Sequence, residues 1–165
     1  MSVYHEVFMV TSGQNVSFMD VTEQVACAVR KSGIRDGLVN IFSQHTSCSV
    51  FLQEDSEDLT YHQIPLLLQD MLNVFENIIP TCRHEGQYLH PGPVHTKNAM
   101  QLRKEKQEWL LNTDGHLRSV LLGRSETVPL TDGCMTLGEF GRIYFTDMDQ
   151  TRGRERKVRV QIVGE

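Results

Sequence analysis

The last strand-forming segment constrains the fold of this chain more than any other feature of the sequence. Apolar and polar residues alternate there, with Val158, Val160 and Ile162 between Lys157, Arg159 and Gln161. This alternation predicts a strand with one buried and one solvated face. Such a strand belongs to an antiparallel sheet that is covered on one side, so the chain must supply further strands and a layer that packs on them.

The sequence also predicts helices that can form this layer. Asp20 and Glu23 form a capping box ahead of an apolar face, and Gly33 is placed to end this first helix. The longest helical pattern starts near Pro65, a residue tolerated in a first turn, and Pro80 ends it. Two shorter helices are predicted over 98–110 and 116–122.

Further strands are predicted before, between and after these helices. They cover 3–11, 38–43, 47–53 and 142–146, and a hairpin turns at Asp132-Gly133. Because strands and helices are mixed without regular alternation, the order predicts a single α+β domain over residues 1–165.

Composition and charge exclude several classes of protein. The 165 residues are 39% apolar and 22% charged, which is an ordinary globular balance, and no apolar run is long enough for a membrane span. A net charge of −5 argues against nucleic-acid binding. The N-terminus shows no signal peptide, so the four widely spaced cysteines (Cys27, Cys48, Cys82 and Cys134) are expected to be reduced thiols in a cytoplasmic protein.

Histidines are the first candidates for chemistry. His45 follows a predicted strand and precedes Thr46 and Ser47, whose hydroxyls suit a phosphate or a water; a surface histidine beside a hydroxyl-stabilised turn is the alternative. His84 and His116 lie in distant segments, and no zinc-binding motif joins them. A site made of His45, His84 and His116 would suit Zn²⁺ with one open position.

Acidic and basic residues add further candidates. Asp114 is a possible base or partner of His116, or only a helix cap, and Glu54 is a possible metal ligand or base, or only a solvated carboxylate. Arg152 and Arg154 belong to a basic C-terminal segment that fits an anion site or a charged edge strand. No phosphate-binding glycine loop and no nucleophile elbow is present.

The sequence resembles the YjbQ family at several of these places. The resemblance rests on segments 32–39, 44–47, 53–55, 114–123, 138–145 and 162–165, in the same order and over nearly the whole chain. It implies a mixed or antiparallel β-sheet sandwich with packed helices, and a homotrimer. It also implies a divalent metal, with Zn²⁺ at the histidines and Mg²⁺ as the ion that would accompany a pyrophosphate.

The resemblance also implies site residues and an activity. It places metal ligands at His45, His84 and His116, an acid at Glu54, and a phosphate-binding pair at Arg118 and Ser119. The family is known as a secondary thiamine-phosphate synthase, which joins a pyrimidine pyrophosphate to a thiazole phosphate and releases pyrophosphate. A metal-dependent hydrolase and a non-catalytic trimer that binds a metal or a phosphorylated metabolite are the alternatives.

Two departures from the family pattern bear on the site. Phe140-Gly141 stands where the family has Trp-Gln, and an atypical insert at about 87–111 brings His90, His95 and Trp109. We expect His90 and His95, like His5 and His62, to lie outside the metal site. We expect Thr46, Ser47, Arg118, Ser119, Arg152 and Arg154 to bind phosphate in a small phosphorylated substrate, with no nucleic acid or membrane as partner.

Overall fold

A computed structural model describes residues 1–165 as eight strands, four α-helices and one 3₁₀ turn. The strands are β1 (Ser2–Thr11), β2 (Ser17–Asp20), β3 (Gly37–Ser43), β4 (Cys48–Glu54), β5 (Ser125–Thr131), β6 (Cys134–Met135), β7 (Gly141–Asp147) and β8 (Glu155–Gly164). The helices are α1 (Thr22–Ser32), α2 (Leu66–Ile78), α3 (Pro93–Leu102) and α4 (Thr113–Leu122), and the 3₁₀ turn is Gln107–Leu110. None of the helices is long and apolar enough to cross a membrane.

The strands form two antiparallel sheets. Five strands are ordered β1-β8-β3-β5-β6, and three are ordered β2-β7-β4. β8 therefore pairs on both sides, and its Val158, Val160 and Ile162 are fully buried while the alternating residues are exposed. The predicted α+β class and the one-sided burial of the last strand are confirmed.

One apolar core joins the two sheets. It contains 16 buried residues, contributed by β3, β5 and β8 of the larger sheet, by β4 and β7 of the smaller sheet, and by α1 and its flanking residues. α1 buries Val25, Ala28 and Val29 in this core and ends at Gly33, whose φ of 67° is left-handed. The predicted glycine cap is thus confirmed. Glycine has no Cβ, so it adopts a left-handed conformation after the last helical turn without steric cost.

The Asp132-Gly133 turn joins β5 to β6 as predicted. Both residues have positive φ, 50° and 78°, which is the requirement of a type I′ hairpin turn. Thr131 and Cys134 pair across it.

The helix predicted over 98–110 has different bounds. α3 begins earlier, at Pro93, because proline is well placed in a first helical turn. It ends at Leu102, and Lys104 then takes a left-handed φ of 58°, which a continuous helix cannot accommodate. Only the separate 3₁₀ turn Gln107–Leu110 follows.

Candidate functional site

Three of the predicted site residues meet at one cavity of about 240 Å³, which we call the arginine cavity. It lies where the end of α3, the 3₁₀ turn, the start of α4 and the loop before β8 come together. Its wall consists of His95, Arg103, Glu105, Trp109, Leu110, Asn112, His116, Arg152 and Arg154. His116, Arg152 and Arg154 were predicted from the sequence, and the other six were not.

Arg152 is held in the wall by two contacts. Its guanidinium carbon lies 4.0 Å from the ring centroid of Trp109, a distance at which the aromatic face attracts a cation. Its Nη2 donates to Glu105 Oε1 at 3.0 Å. Burial works to raise the pKa of Glu105, but hydrogen bonds from Arg103 and Arg152 outweigh it and leave the pKa below its ordinary value.

Arg154 is anchored through its backbone and its side chain. Its amide donates to Ser12 Oγ at 3.1 Å, and its guanidinium pairs with the fully buried Asp149. Asp149 is itself fixed by Asn112 Nδ2 at 2.9 Å and by Thr151 Oγ1 at 2.6 Å. Burial, followed by the charge of Arg156, lowers the pKa of Arg154.

The electrostatic balance of the cavity favours an anion. The guanidinium groups of Arg103, Arg152 and Arg154 are balanced by only two carboxylates, those of Glu105 and Asp149. One positive charge therefore remains when the histidines are left out of the count, although the net charge of the whole chain is −5. The Nε–H groups of Arg152 and Arg154 are buried without a hydrogen-bond partner in the protein. Buried donors of this kind are costly when unsatisfied, and a phosphate oxygen is an acceptor that suits a guanidinium.

Three histidines cluster at one side of the arginine cavity. The ring centroids of His90 and His95 are 4.7 Å apart, and those of His90 and His116 are 6.0 Å apart. The Thr113 hydroxyl donates to the His90 carbonyl at 2.7 Å, which ties the segment before α3 to the start of α4. His95 Nε2 lies 3.3 Å from Arg103 Nη2. His90 and His95 are therefore neighbours of His116, a proximity that the sequence did not predict.

The sequence did contain a signal for this cluster. The only Trp of the chain lies within the same short segment as His90 and His95. This concentration of two histidines and the tryptophan in one segment is the signal by which the sequence could have indicated the cluster.

The pKa of His90 predicts how acid affects stability. Burial, followed by the charges of His95 and His116, lowers this pKa below the ordinary 6.5. Because the unfolded chain then binds the proton more readily, His90 opposes folding as the pH falls through 6.5. When the pH is lowered from 7.5 to 5.5, we expect the free energy of unfolding, measured with urea, to fall less in His90→Gln than in the wild type. The exposed His62→Gln is the control, and an equal loss in His90→Gln and wild type would contradict the prediction.

The structure does not bring His45, His84 and His116 together within one chain. His45 Nε2 accepts the amide hydrogen of Lys157 at 3.0 Å, so this nitrogen is already occupied, and burial followed by the charge of Arg156 lowers the His45 pKa. His84 is exposed on the loop after α2 and does not line the arginine cavity. No group of three or more His, Cys, Asp or Glu side chains is arranged to hold a metal ion.

Arg118 and Ser119, which were expected to bind phosphate, are hydrogen-bonded to other residues of the protein. Arg118 is buried and donates to the Ile79 carbonyl at 2.7 and 3.1 Å and to Glu76 Oε2 at 2.9 Å, which binds α4 to the end of α2. A hydrogen bond from the Thr81 hydroxyl, together with the bond from Arg118, lowers the pKa of Glu76 to about 2. Ser119 Oγ donates to the Cys48 carbonyl at 2.7 Å. Neither residue lines the arginine cavity.

Asp114 and Glu54 also lie away from the cavity wall. Asp114 is buried, its Oδ2 accepts from Gln150 Nε2 at 3.3 Å, and burial raises its pKa. Glu54 is exposed at the end of β4 and pairs with Gly141, whereas Cys48, next to the His45 loop, pairs with Asp147 at the other end. Since a strand rises about 3.3 Å per residue, the strand separates Glu54 from the His45 loop by about 20 Å.

Ser47 belongs to a buried ion-pair network. Its hydroxyl accepts from Arg156 Nη2 at 3.1 Å and donates to Asp147 Oδ1 at 3.3 Å. Thr46, its neighbour, is exposed, and neither residue lines the arginine cavity. Arg156 of this network lies two residues beyond Arg154 on the same chain segment, so the network fixes the direction from which Arg154 reaches the cavity.

Gly115 allows α4 to pack closely against the backbone at Met148, which places the adjacent His116 in the cavity wall. A Cβ at this position would lie 2.9 Å from the Met148 carbonyl oxygen, which is closer than real contacts allow. We expect Gly115→Ala to lower the free energy of unfolding by about 1–3 kcal/mol, the usual cost of overpacking. Gly92→Ala is the control, because its Cβ would meet nothing within 4 Å and its φ of −76° suits alanine. Equal melting temperatures of the two variants would contradict the prediction.

Comparison with known proteins gives a consistent relationship along the chain. A model of the family described as UPF0047 protein YjbQ-like matches residues 6–165. A UPF0047 protein of Methanothermobacter thermautotrophicus is 32% identical over 164 residues, which cover 99% of this chain and 94% of the relative. The UPF0047 protein YugU of Bacillus subtilis is 25% identical over 136 residues, or 82% of this chain and 83% of the relative.

Solved structures share the fold. A crystal structure of a YbjQ-like protein of unknown function from Sulfolobus solfataricus matches with a TM-score of 0.75 at 24% identity, covering 99% of both chains. A conserved protein of the same family from Clostridium acetobutylicum matches with a TM-score of 0.71 at 23% identity, covering 96% of this chain and 99% of the other. These likenesses support the two-sheet architecture described above.

Proposed function

Since the chain belongs to the YjbQ-like family of UPF0047 proteins, we propose that it binds a phosphate-bearing small molecule in the arginine cavity and acts as a thiamine-phosphate synthase-like transferase. The observation that carries this proposal is the pair Arg152 and Arg154, whose guanidinium groups line one cavity with buried Nε–H donors that no residue satisfies. His116 lies in the same wall, and its ring nitrogens make no hydrogen bond to another residue, so they are free to contact a ligand.

In the proposed reaction, negative charge develops on the leaving pyrophosphate, which would lie beside Arg152 and Arg154. The C–O bond between the pyrimidine's methylene carbon and its pyrophosphate breaks, and a C–N bond forms from that carbon to the ring nitrogen of the thiazole phosphate. The electron pair of the broken bond leaves on the pyrophosphate oxygen. Positive groups fixed beforehand at that oxygen stabilise the transition state more than the ground state. Arg152 and Arg154 are fixed by Trp109, Glu105 and Asp149, so they need little reorganisation during the reaction.

The proposed zinc centre fits this chain poorly, so no step is assigned to it. His45 is hydrogen-bonded to the backbone, and no group of three or more His, Cys, Asp or Glu side chains is arranged to hold a metal ion. A Mg²⁺ ion that accompanies a pyrophosphate belongs to the substrate in this proposal.

A non-catalytic binding module is the second candidate. The two carboxylates at the cavity are both engaged by arginines, Glu105 by Arg103 and Arg152, and Asp149 by Arg154. Neither is free to act as a general base. Asp114 and Glu54, the bases of the hydrolase alternative, do not line the arginine cavity, which weakens that alternative. Phosphate binding without turnover would fit this arrangement.

One pair of experiments separates these candidates. Calorimetric titration with Mg²⁺-pyrophosphate measures anion binding, and incubation with a pyrimidine pyrophosphate and thiazole phosphate measures release of pyrophosphate. We expect saturable binding at one site per chain and pyrophosphate release that depends on both substrates. If Mg²⁺-pyrophosphate binds but no pyrophosphate is released from the substrates, the protein is a binding module and not a transferase. If Mg²⁺-pyrophosphate does not bind, the proposal is overturned.

The proposal includes a homotrimer and a cytoplasmic location. Leu117, Val120 and Leu121 form an exposed apolar face on α4, with Val120 77% exposed, and such a face is a candidate for burial between subunits. All four cysteines are free thiols, which supports a reducing compartment. A monomer mass in light scattering would contradict the trimer.

A further inference from the structure

A second, larger cavity adjoins the arginine cavity. It has a volume of about 630 Å³ and is formed almost entirely by the loop after α2, α3 and the 3₁₀ turn. Leu110 lines both cavities, and His90 lines the larger one with its ring centroid 4.7 Å from that of His95, which lines the smaller. The two cavities are therefore neighbours, with Leu110 and the His90–His95 pair between them, and we call the larger one the apolar cavity.

The lining of the apolar cavity differs in chemistry from that of its neighbour. Apolar side chains and proline rings supply much of the wall: Leu89, Pro91, Pro93, Met100, Leu110 and Leu111. Its charged groups, Lys97 and Glu85, are one cation and one anion, so no net charge remains for a second phosphate. The cavity suits an uncharged apolar group.

The two volumes show how a single ligand could use both cavities. Small-molecule sites usually enclose about 300–1,000 Å³, so the arginine cavity alone falls below this range and the apolar cavity lies within it. The His90 ring makes no hydrogen bond to another residue, so no side-chain bond holds it across the junction. Rotation of this ring would open a passage between the arginine cavity and the apolar cavity, so that one molecule could occupy both.

We propose that this chain also accepts a phosphomonoester with a bulky uncharged apolar group, the phosphate lying where the pyrophosphate would bind in the arginine cavity and the apolar group lying in the apolar cavity. The inference rests on the proposed function, because it uses the same phosphate position, and it adds a substrate class selected by residues 84–111. Met100 on α3 is then a specificity-determining residue.

Calorimetry with two probes tests the inference. 1-Naphthyl phosphate and inorganic phosphate share the anionic group and differ in the apolar one. Because burial of the naphthyl ring removes apolar surface from water, we expect the wild type to bind naphthyl phosphate about tenfold or more tightly than inorganic phosphate. Met100→Trp narrows the apolar cavity from its α3 side and is expected to reduce this preference while leaving the affinity for inorganic phosphate unchanged.

Leu102→Trp is the matched control. It introduces the same side chain on the same helix at a position that is 75% exposed and outside both cavities, so the preference should persist. Equal affinity of the wild type for the two probes would overturn this inference and leave the phosphate site standing. A preference that Met100→Trp leaves undiminished would place the apolar group elsewhere and overturn it too. If the wild type binds neither probe, the proposed function itself is overturned.

Discussion

Arg156→Met is expected to lower the free energy of unfolding by about 3–5 kcal/mol, the cost of breaking a buried ion pair from one side. Arg156 Nε and Nη2 donate to the two oxygens of Asp147 at 2.6 and 3.1 Å, and Asp147 is fully buried. Methionine keeps the apolar stem but leaves this carboxylate without its cation. Urea unfolding at pH 7.5 measures the change.

Arg159→Met is the control for this variant. Arg159 lies three residues further along β8, is exposed, and donates only to Gln44 Oε1. A surface change of this kind usually alters stability by less than about 0.5 kcal/mol. Similar losses in the two variants would show that the Asp147–Arg156 pair has no special role.

A double substitution, Arg152→Met with Arg154→Met, is expected to abolish measurable pyrophosphate binding. A hydrogen bond to a charged group contributes about 1.5–3 kcal/mol, so the loss of two such groups amounts to about 3–6 kcal/mol, or roughly a 10²- to 10⁴-fold weaker affinity. Titration calorimetry with Mg²⁺-pyrophosphate measures it.

The double variant is expected to be less stable than the wild type, because buried Asp149 loses its cation, but both carboxylates keep other partners and a circular-dichroism spectrum checks that it folds. Glu105 retains Arg103 at 3.2 Å, and Asp149 retains Asn112 and Thr151. The control, Arg35→Met with Arg124→Met, removes the same number of charges from two exposed positions outside the cavity. If the control weakened binding as much, long-range attraction and not the cavity would account for the affinity.

The local elements of the fold could be predicted because short-range physics determines them. Burial alternates along β8 because the side chains of a strand point to opposite faces, and Asp132-Gly133 forms its turn because both residues tolerate positive φ. Gly33 ends α1 for the same conformational reason. In each case the signal and its cause lie within a few residues of each other.

The α3 region was harder to predict from local signals. Residues 98–110 contain helix-forming residues, but the actual helix starts at Pro93 and is interrupted at Lys104. The 3₁₀ turn then places Trp109 under Arg152, a contact across 43 sequence positions that no local propensity encodes.

The sequence by itself determined the α+β class, most of the strands and the basic residues Arg152 and Arg154 as an anion-binding pair worth proposing. Tertiary structure alone decided which histidines accompany them: His90 and His95 meet His116 because Thr113 binds the His90 carbonyl. It also determined that Arg118 donates to the carbonyl of Ile79 at the end of α2 and does not line the arginine cavity. The physical reason is that a side chain's type fixes what it can bind, whereas its partners depend on which distant segments the common core brings together.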